Sequence, residues 1–213
     1  MPAMAGKLWT SGRKWGANLL PALFYLPPAV AGITILVKRS EFGGLGLWLL
    51  LGAVVAGWFS LNFLALVGNG FMRRQLRREI AAKEGLPDDA VFVGFASPGF
   101  QSVLDPHEDV GYLVLGDERL EFIGETHRVK IPRRAIESVR FRPNIHTWVG
   151  LGRWISVEGA VEGQKVRLLV EPREKGTLLG NLSYGKGLAH RIREWSGVKV
   201  INGKPRDTKP GVP

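Results

Sequence analysis

The chain has 213 residues, no cysteine, and a formal net charge of +10 from 29 Lys/Arg against 19 Asp/Glu. Without cysteine it can hold neither a disulfide nor a thiolate-bound metal, and it fits a reducing compartment. The basic excess suits anionic headgroups or an acidic partner. A nucleic-acid partner is not expected, because no interleaved aromatic pattern or binding motif accompanies the charge.

A mean hydropathy of +0.03 conceals two unlike halves. Residues 1–72 carry five Lys/Arg against one acid, and residues 73–213 carry 24 against 18. One apolar stretch runs from about Trp15 to Val37 and another from about Leu45 to Val67, both free of charge. Each is long enough to cross a hydrocarbon core ~30 Å thick. Pro21, Pro27 and Pro28 interrupt the first, which membrane helices tolerate where neighbouring groups satisfy the freed carbonyls. A cleavable signal peptide is the alternative, with Lys7, Arg13 and Lys14 as its basic region and Ala29-Val30-Ala31 as the cut. Apolar residues continue through Ile33, Ile35, Leu36 and Val37, which favours a retained helix.

The second stretch carries small residues four apart, Gly52, Ala56 and Ser60, with Ala53 and Gly57 beside them. Such a ridge lets helix backbones approach closely in lipid. It is expected to pack on the first stretch, with self-association as the alternative. The link around Lys38, Arg39 and Glu41 is short, so the two form an antiparallel hairpin with Trp15 and Trp48 near opposite interfaces. Asn18 and Asn62 then fall at similar depth, where a hydrogen bond or separate solvation are equally open. Lys7, Arg13, Lys14, Arg73, Arg74, Arg77 and Arg78 outnumber the two cations of the link. The positive-inside tendency therefore predicts a multi-pass plasma-membrane protein with both termini cytoplasmic. Cleaving the first stretch leaves the four arginines, and hence the side of the following domain, unchanged.

Residues 71–85 are expected to continue the second helix out of the bilayer until Gly85 and Pro87 stop it. At this height, clustered arginines attract anionic lipid at ~1 kcal/mol each. From Asp88 the period becomes alternating, as in Val166, Leu168 and Val170 against Arg167 and Glu171. Seven strands are predicted, near 90–96, 110–115, 118–123, 126–131, 136–142, 152–161 and 164–171. Tight turns at Gly116-Asp117, Gly124-Glu125 and Glu162-Gly163 join them, so strands two to four form a meander. Leu188, Ala189, Ile192 and Trp195 mark one face of a helix near 184–196. The tail at 201–213 has a disordered composition. The predicted division is 1–14, a hairpin at 15–70, a basic juxtamembrane helix and linker at 71–87, a domain at 88–200, and the tail.

The stretch from Leu113 to Phe122, followed by Ile131-Pro132 and the spaced Ile136 and Val139, resembles bacterial PH-like and GRAM-like domains over about 88–197. The resemblance implies an α+β fold, a seven-stranded antiparallel sandwich or barrel capped by a C-terminal helix with Trp195 as an anchor. Members are often fused to membrane helices. Lipid-binding PH domains grip inositol phosphates with a basic first hairpin. Here the corresponding loop, Ser97 to Asp109, contains Asp105, His107, Glu108 and Asp109 but no Lys or Arg, so that mode is not expected.

Alternation places Arg128, Lys130, Arg140 and Arg142 away from the core, with Arg133 and Arg134 at the intervening turn. Such a basic face suits headgroups or an acidic partner, or it is simply solvated. The connection from Asn144 to Leu151 is unusually apolar, and it either meets the membrane interface or a partner or folds back over the sandwich. His107, His127, His146 and His190 lack metal-ligand spacing, and Ser97 does not sit in G-x-S-x-G. An enzyme using His107 and its acidic neighbours is a minor alternative. The expectation is a non-enzymatic membrane-anchored binding or scaffold protein without cofactor or metal. The alternative is an accessory subunit of a membrane complex acting through its hairpin.

Overall fold

The structure, a computed structural model, describes residues 7–100 and 106–198. Asp105 and the 201–213 tail lie outside them. Helix α1 spans Ser11–Lys38, its first turn capped by the Thr10 hydroxyl, which accepts from the Arg13 N–H. The helix continues through all three prolines. A short 3-10 turn at Ser40–Phe42 reverses the chain into α2, Gly43–Leu64. Both helices are long and apolar enough to cross a membrane.

The two helices pack antiparallel through glycines. A Cβ on Gly32 would stand 2.8 Å from the Gly46 carbonyl oxygen, and one on Gly57 would stand 3.4 Å from Tyr25. The Ser60 hydroxyl donates to the Pro21 carbonyl at 3.2 Å. This corrects the expected ridge. Gly46, Ala53, Gly57 and Ser60 are buried, whereas Gly52 has open space around it and Ala56 is only half-buried. The contact runs through Ala53 and Gly57, which the sequence places beside the expected ridge, and of the ridge itself Ser60 meets α1.

The straight continuation of α2 also fails. Residues 65–68 form a turn, Gly68 takes a left-handed φ of 85°, and α3 starts afresh at Asn69–Glu84. Only glycine adopts that conformation without steric cost. The bend lays α3 against the sheet, so that Met72, Leu76 and Ile80, one turn apart, are buried.

The strands are β1 Val91–Ala96, β2 Asp109–Leu115, β3 Arg119–Gly124, β4 Arg128–Pro132, β5 Ile136–Arg142, β6 Trp154–Val161 and β7 Gln164–Pro172. They form one antiparallel sheet in the order β4-β3-β2-β1-β7-β6-β5. Glu162 and Gly163 close the β6–β7 hairpin with φ of 51° and 78°, as a type I′ turn requires. Helix α4, Leu178–Ser196, starts at a Thr177 cap and ends at Gly197, φ 73°. It begins six residues earlier than predicted. Leu188, Ala189 and Ile192 are buried as expected, and Trp195 anchors the far end by donating its indole N–H to the Gly116 carbonyl at 3.0 Å.

The sheet is buried on both faces over β1 to β3. Val91, Val93, Phe95, Leu113, Leu120 and Phe122 point into a core shared by all seven strands and α4. Phe92, Val110, Tyr112 and Ile123 point the other way, into a second core with Leu8, Trp9, Met72, Leu76 and Ile80. Edge residues Ile131 and Ile136 share the first core, so the sheet curls, although no ladder joins β4 to β5. The chain is thus α+β, with helices before and after a seven-stranded antiparallel sheet.

Candidate functional site

The hairpin meets the sheet through a buried polar cluster. Glu171, near the end of β7, is buried beneath the loop that follows β5. Its carboxylate accepts from the Asn144 amide at 3.0 Å and lies 3.2 Å from His146 Nδ1 and 3.0 Å from His107 Nε2. Burial pushes this carboxyl up, but the charge of His146 and the His107 contact outweigh it and hold it well below the usual range. Arg173 faces His107 Nδ1 at 3.5 Å, donates to Asn69 Oδ1 at 3.0 Å, and lies 4.6 Å from the centre of the Trp9 ring. The Asn69 amide returns a bond to the Arg173 carbonyl. Trp9 and Lys14 both donate to the His107 carbonyl, at 3.2 and 3.1 Å. Glycine is required around this cluster: a Cβ on Gly94 would strike the His107 ring, and one on Gly152 the Glu171 carboxylate. Asn62 joins the same junction by accepting from the Leu179 N–H at 2.9 Å, while the Asn18 amide donates to Lys14 one turn back.

Beside the cluster, α3 and α4 flank a cleft of about 370 Å³ lined by Arg73, Arg74, Arg77, Tyr112, Tyr184 and Arg191, with Asp88, Asp89 and Glu174. The arginines of α3 divide into two pairs. Arg73 bonds Glu174, and Arg77 meets Asp88 at 3.0 Å. Arg74, at the cleft, and Arg78, four residues on, are exposed. Tyr112 donates to the Arg73 carbonyl at 2.6 Å, and its burial raises the phenol to about 12.

The basic residues of the sheet do not form the expected face. β4 and β5 are the two edges of the sheet and do not pair. Each cluster is also tied to carboxylates. Arg128 forks onto Glu84, and Lys130 meets Glu121 at 3.2 Å. Arg140, Arg142 and Arg167 converge on Glu158. Burial would raise that carboxyl, but hydrogen bonds from Arg140, Ser156 and Arg142 lower it from 4.5 to about 2. Arg133 stacks over Trp195 at 5.4 Å, and Arg134 is exposed.

The histidines serve the architecture. His127 sits 3.3 Å from Glu108 and 3.4 Å from Asp109. The Asp109 carboxylate accepts backbone N–H groups of Val110, Thr126 and His127 at 2.8–2.9 Å, fixing the β3–β4 turn. Ser97 bonds Glu108. His190 pairs with Glu194 one turn along α4.

Compared with protein-family models, with curated proteins and with solved structures, the chain gives no match. The sequence reading missed Trp9, Asn69, Glu171, Arg173 and Arg191. Glu171 falls in phase with outward residues of β7, and only the loop folded over that end buries it. Trp9 offered a signal, an isolated aromatic just before a Thr-capped helix, but nothing local says what it packs against.

Proposed function

We propose that the chain is a membrane-anchored, non-enzymatic binding protein. Its two-helix hairpin spans the bilayer and holds a PH-like domain on the cytoplasmic side for an acidic protein partner or anionic headgroups. The strand order, the curl of the sheet and the closing helix support the PH-like reading. The observation that carries the binding role is the exposed pair Arg74 and Arg78 at the arginine-lined cleft, within a few turns of the end of α2. The histidines and buried carboxylates are engaged in holding loops and turns, which favours binding over catalysis.

Titrating the detergent-solubilised full chain with a short-chain phosphatidylglycerol tests the headgroup arm, with phosphatidylcholine as control. Preferential binding should weaken with salt, and about fivefold for each of Arg74→Ala and Arg78→Ala, since each contact is worth ~1 kcal/mol. The partner arm predicts that the same variants lose proteins that crosslink to the wild-type chain in native membranes. If neither lipid preference nor crosslinking depends on these arginines, the proposal fails. A second reading, an accessory subunit, rests on Gly52, whose open surroundings leave a smooth patch on the hairpin for another helix.

A further inference from the structure

The loop between β5 and β6 is braced by its own hydrogen bonds, and its apolar side chains are turned outward. Its 3-10 turn, Ile145–Val149, is fixed by reciprocal bonds between Asn144 and Thr147, by the Thr147 hydroxyl donating to the Gly152 carbonyl at 2.8 Å, and by Gly150 at φ 72°. Beneath it, Glu171 holds both Asn144 and His146. Yet Ile145 is 51% exposed, Val149 41% and Trp148 88%. The loop covers the Glu171 end of the sheet with Asn144 and His146 and buries Leu151 against Leu66 and Leu178, while these three apolar side chains remain exposed.

The loop is also fastened to the hairpin. Trp58, within α2, donates its indole N–H to the Val149 carbonyl at 3.1 Å. One turn further along, Asn62 holds the start of α4 at Leu179, which is itself exposed. The far end of the hairpin is set by Lys38, Arg39 and Glu41 just before Gly43. From Gly43, Trp58 stands ~22 Å along the helix at about 1.5 Å per residue, whereas the hydrocarbon core is ~30 Å thick. The Val149 carbonyl therefore lies level with a part of α2 that a spanning hairpin places inside the bilayer, short of its near boundary. Indole rings favour the adjoining interface, where an apolar body meets a wet edge.

We propose that Ile145, Trp148 and Val149 form a wedge that enters the near leaflet beside α2, a third membrane contact that fixes the tilt of the domain on the bilayer. The occupant of this surface is lipid, because Trp58 ties the loop to a part of α2 where Val54, Val55 and Phe59 are also exposed, so the apolar loop lies beside the exposed apolar face of the hairpin. The inference rests on the spanning hairpin of the proposed function, and its test separates the two.

The chain has no native cysteine, so single cysteines can carry an environment-sensitive fluorophore on the full chain reconstituted into phosphatidylcholine/phosphatidylglycerol vesicles. Trp148→Cys and Ile145→Cys probe the wedge, and Leu51→Cys, exposed on α2, probes the hairpin. Asp117→Cys, beside the far end of α4, serves as the aqueous reference. The wedge predicts blue-shifted emission at 145 and 148, quenched by shallow doxyl-labelled lipids, with deeper quenching at 51 and water-like emission at 117. Lipid quenching at 51 with water-like emission at 145 and 148 overturns the wedge and leaves the hairpin standing. Blue-shifted emission at 148 that doxyl lipids do not quench also overturns it, since a protein then covers the loop. Water-like emission at 51 refutes the spanning hairpin and the wedge with it.

Discussion

Trp9→Ala is expected to destabilise the folded chain by about 3–5 kcal/mol, the cost of deleting a fully buried aromatic. The ring is 2% exposed, and with Leu8 it seals the outer core over β1 to β3. Its backbone N–H donates to Glu125 at 2.8 Å, on the turn after β3, and the N–H of Leu8 bonds the same carboxylate. Thermal unfolding in detergent should show a midpoint lower by on the order of 10 °C, while Trp9→Phe recovers most of it. An unchanged midpoint would mean that the segment before α1 does not belong to the domain. The same contact bears on the signal-peptide alternative. Cleavage after Ala31 would remove Trp9 and open the core, so the intact mass of the membrane-extracted protein should retain these residues.

Glu171→Ala is the second large effect, also about 3–5 kcal/mol, because it leaves buried cationic and polar partners uncompensated. His107, His146, Asn144 and, through His107, Arg173 all depend on this carboxylate. Glu171→Gln keeps an acceptor for Asn144 and should cost less. The acid profile gives a separate readout. A carboxyl whose folded pKa is depressed contributes stability above its unfolded value of 4.5, and that contribution is lost as pH falls towards the folded value. Wild-type stability should therefore fall as pH drops below 4.5, and the Gln variant should lose a smaller part. Glu158, lowered to about 2, continues to titrate in both. Identical acid profiles would show that Glu171 does not hold this network in its ionised form.

The strands were legible because their signal is local. Alternation in 164–171 and paired turn residues such as Glu162-Gly163 located the strands to within two residues at every end. Gly180 hid the first six residues of α4, since glycine lowers helical propensity, and the Thr177 cap marked the true start. Long-range layers were not legible. Nothing near Leu8 and Trp9 indicates that they cover β1 to β3, and nothing in α3 distinguishes a helix leaving a bilayer from one lying on a sheet. The expected domain at 88–200 therefore omits part of its own core, namely Met72, Leu76, Ile80 and Trp9. The basic face misled for a related reason: alternation identifies outward residues but not which strands are neighbours or which carboxylates answer them.

In the proposed arrangement, the segment before α1 and the domain after α2 lie together on one side of a membrane that the hairpin crosses. Single cysteines at the exposed positions Lys7, Glu41 and Arg134, treated with a membrane-impermeant maleimide in sealed vesicles of known orientation, test it directly. Positions 7 and 134 are expected to react only from the cytoplasmic face and 41 only from the opposite face. Labelling of 41 from the same face as 134, or of 7 and 134 from opposite faces, would contradict it.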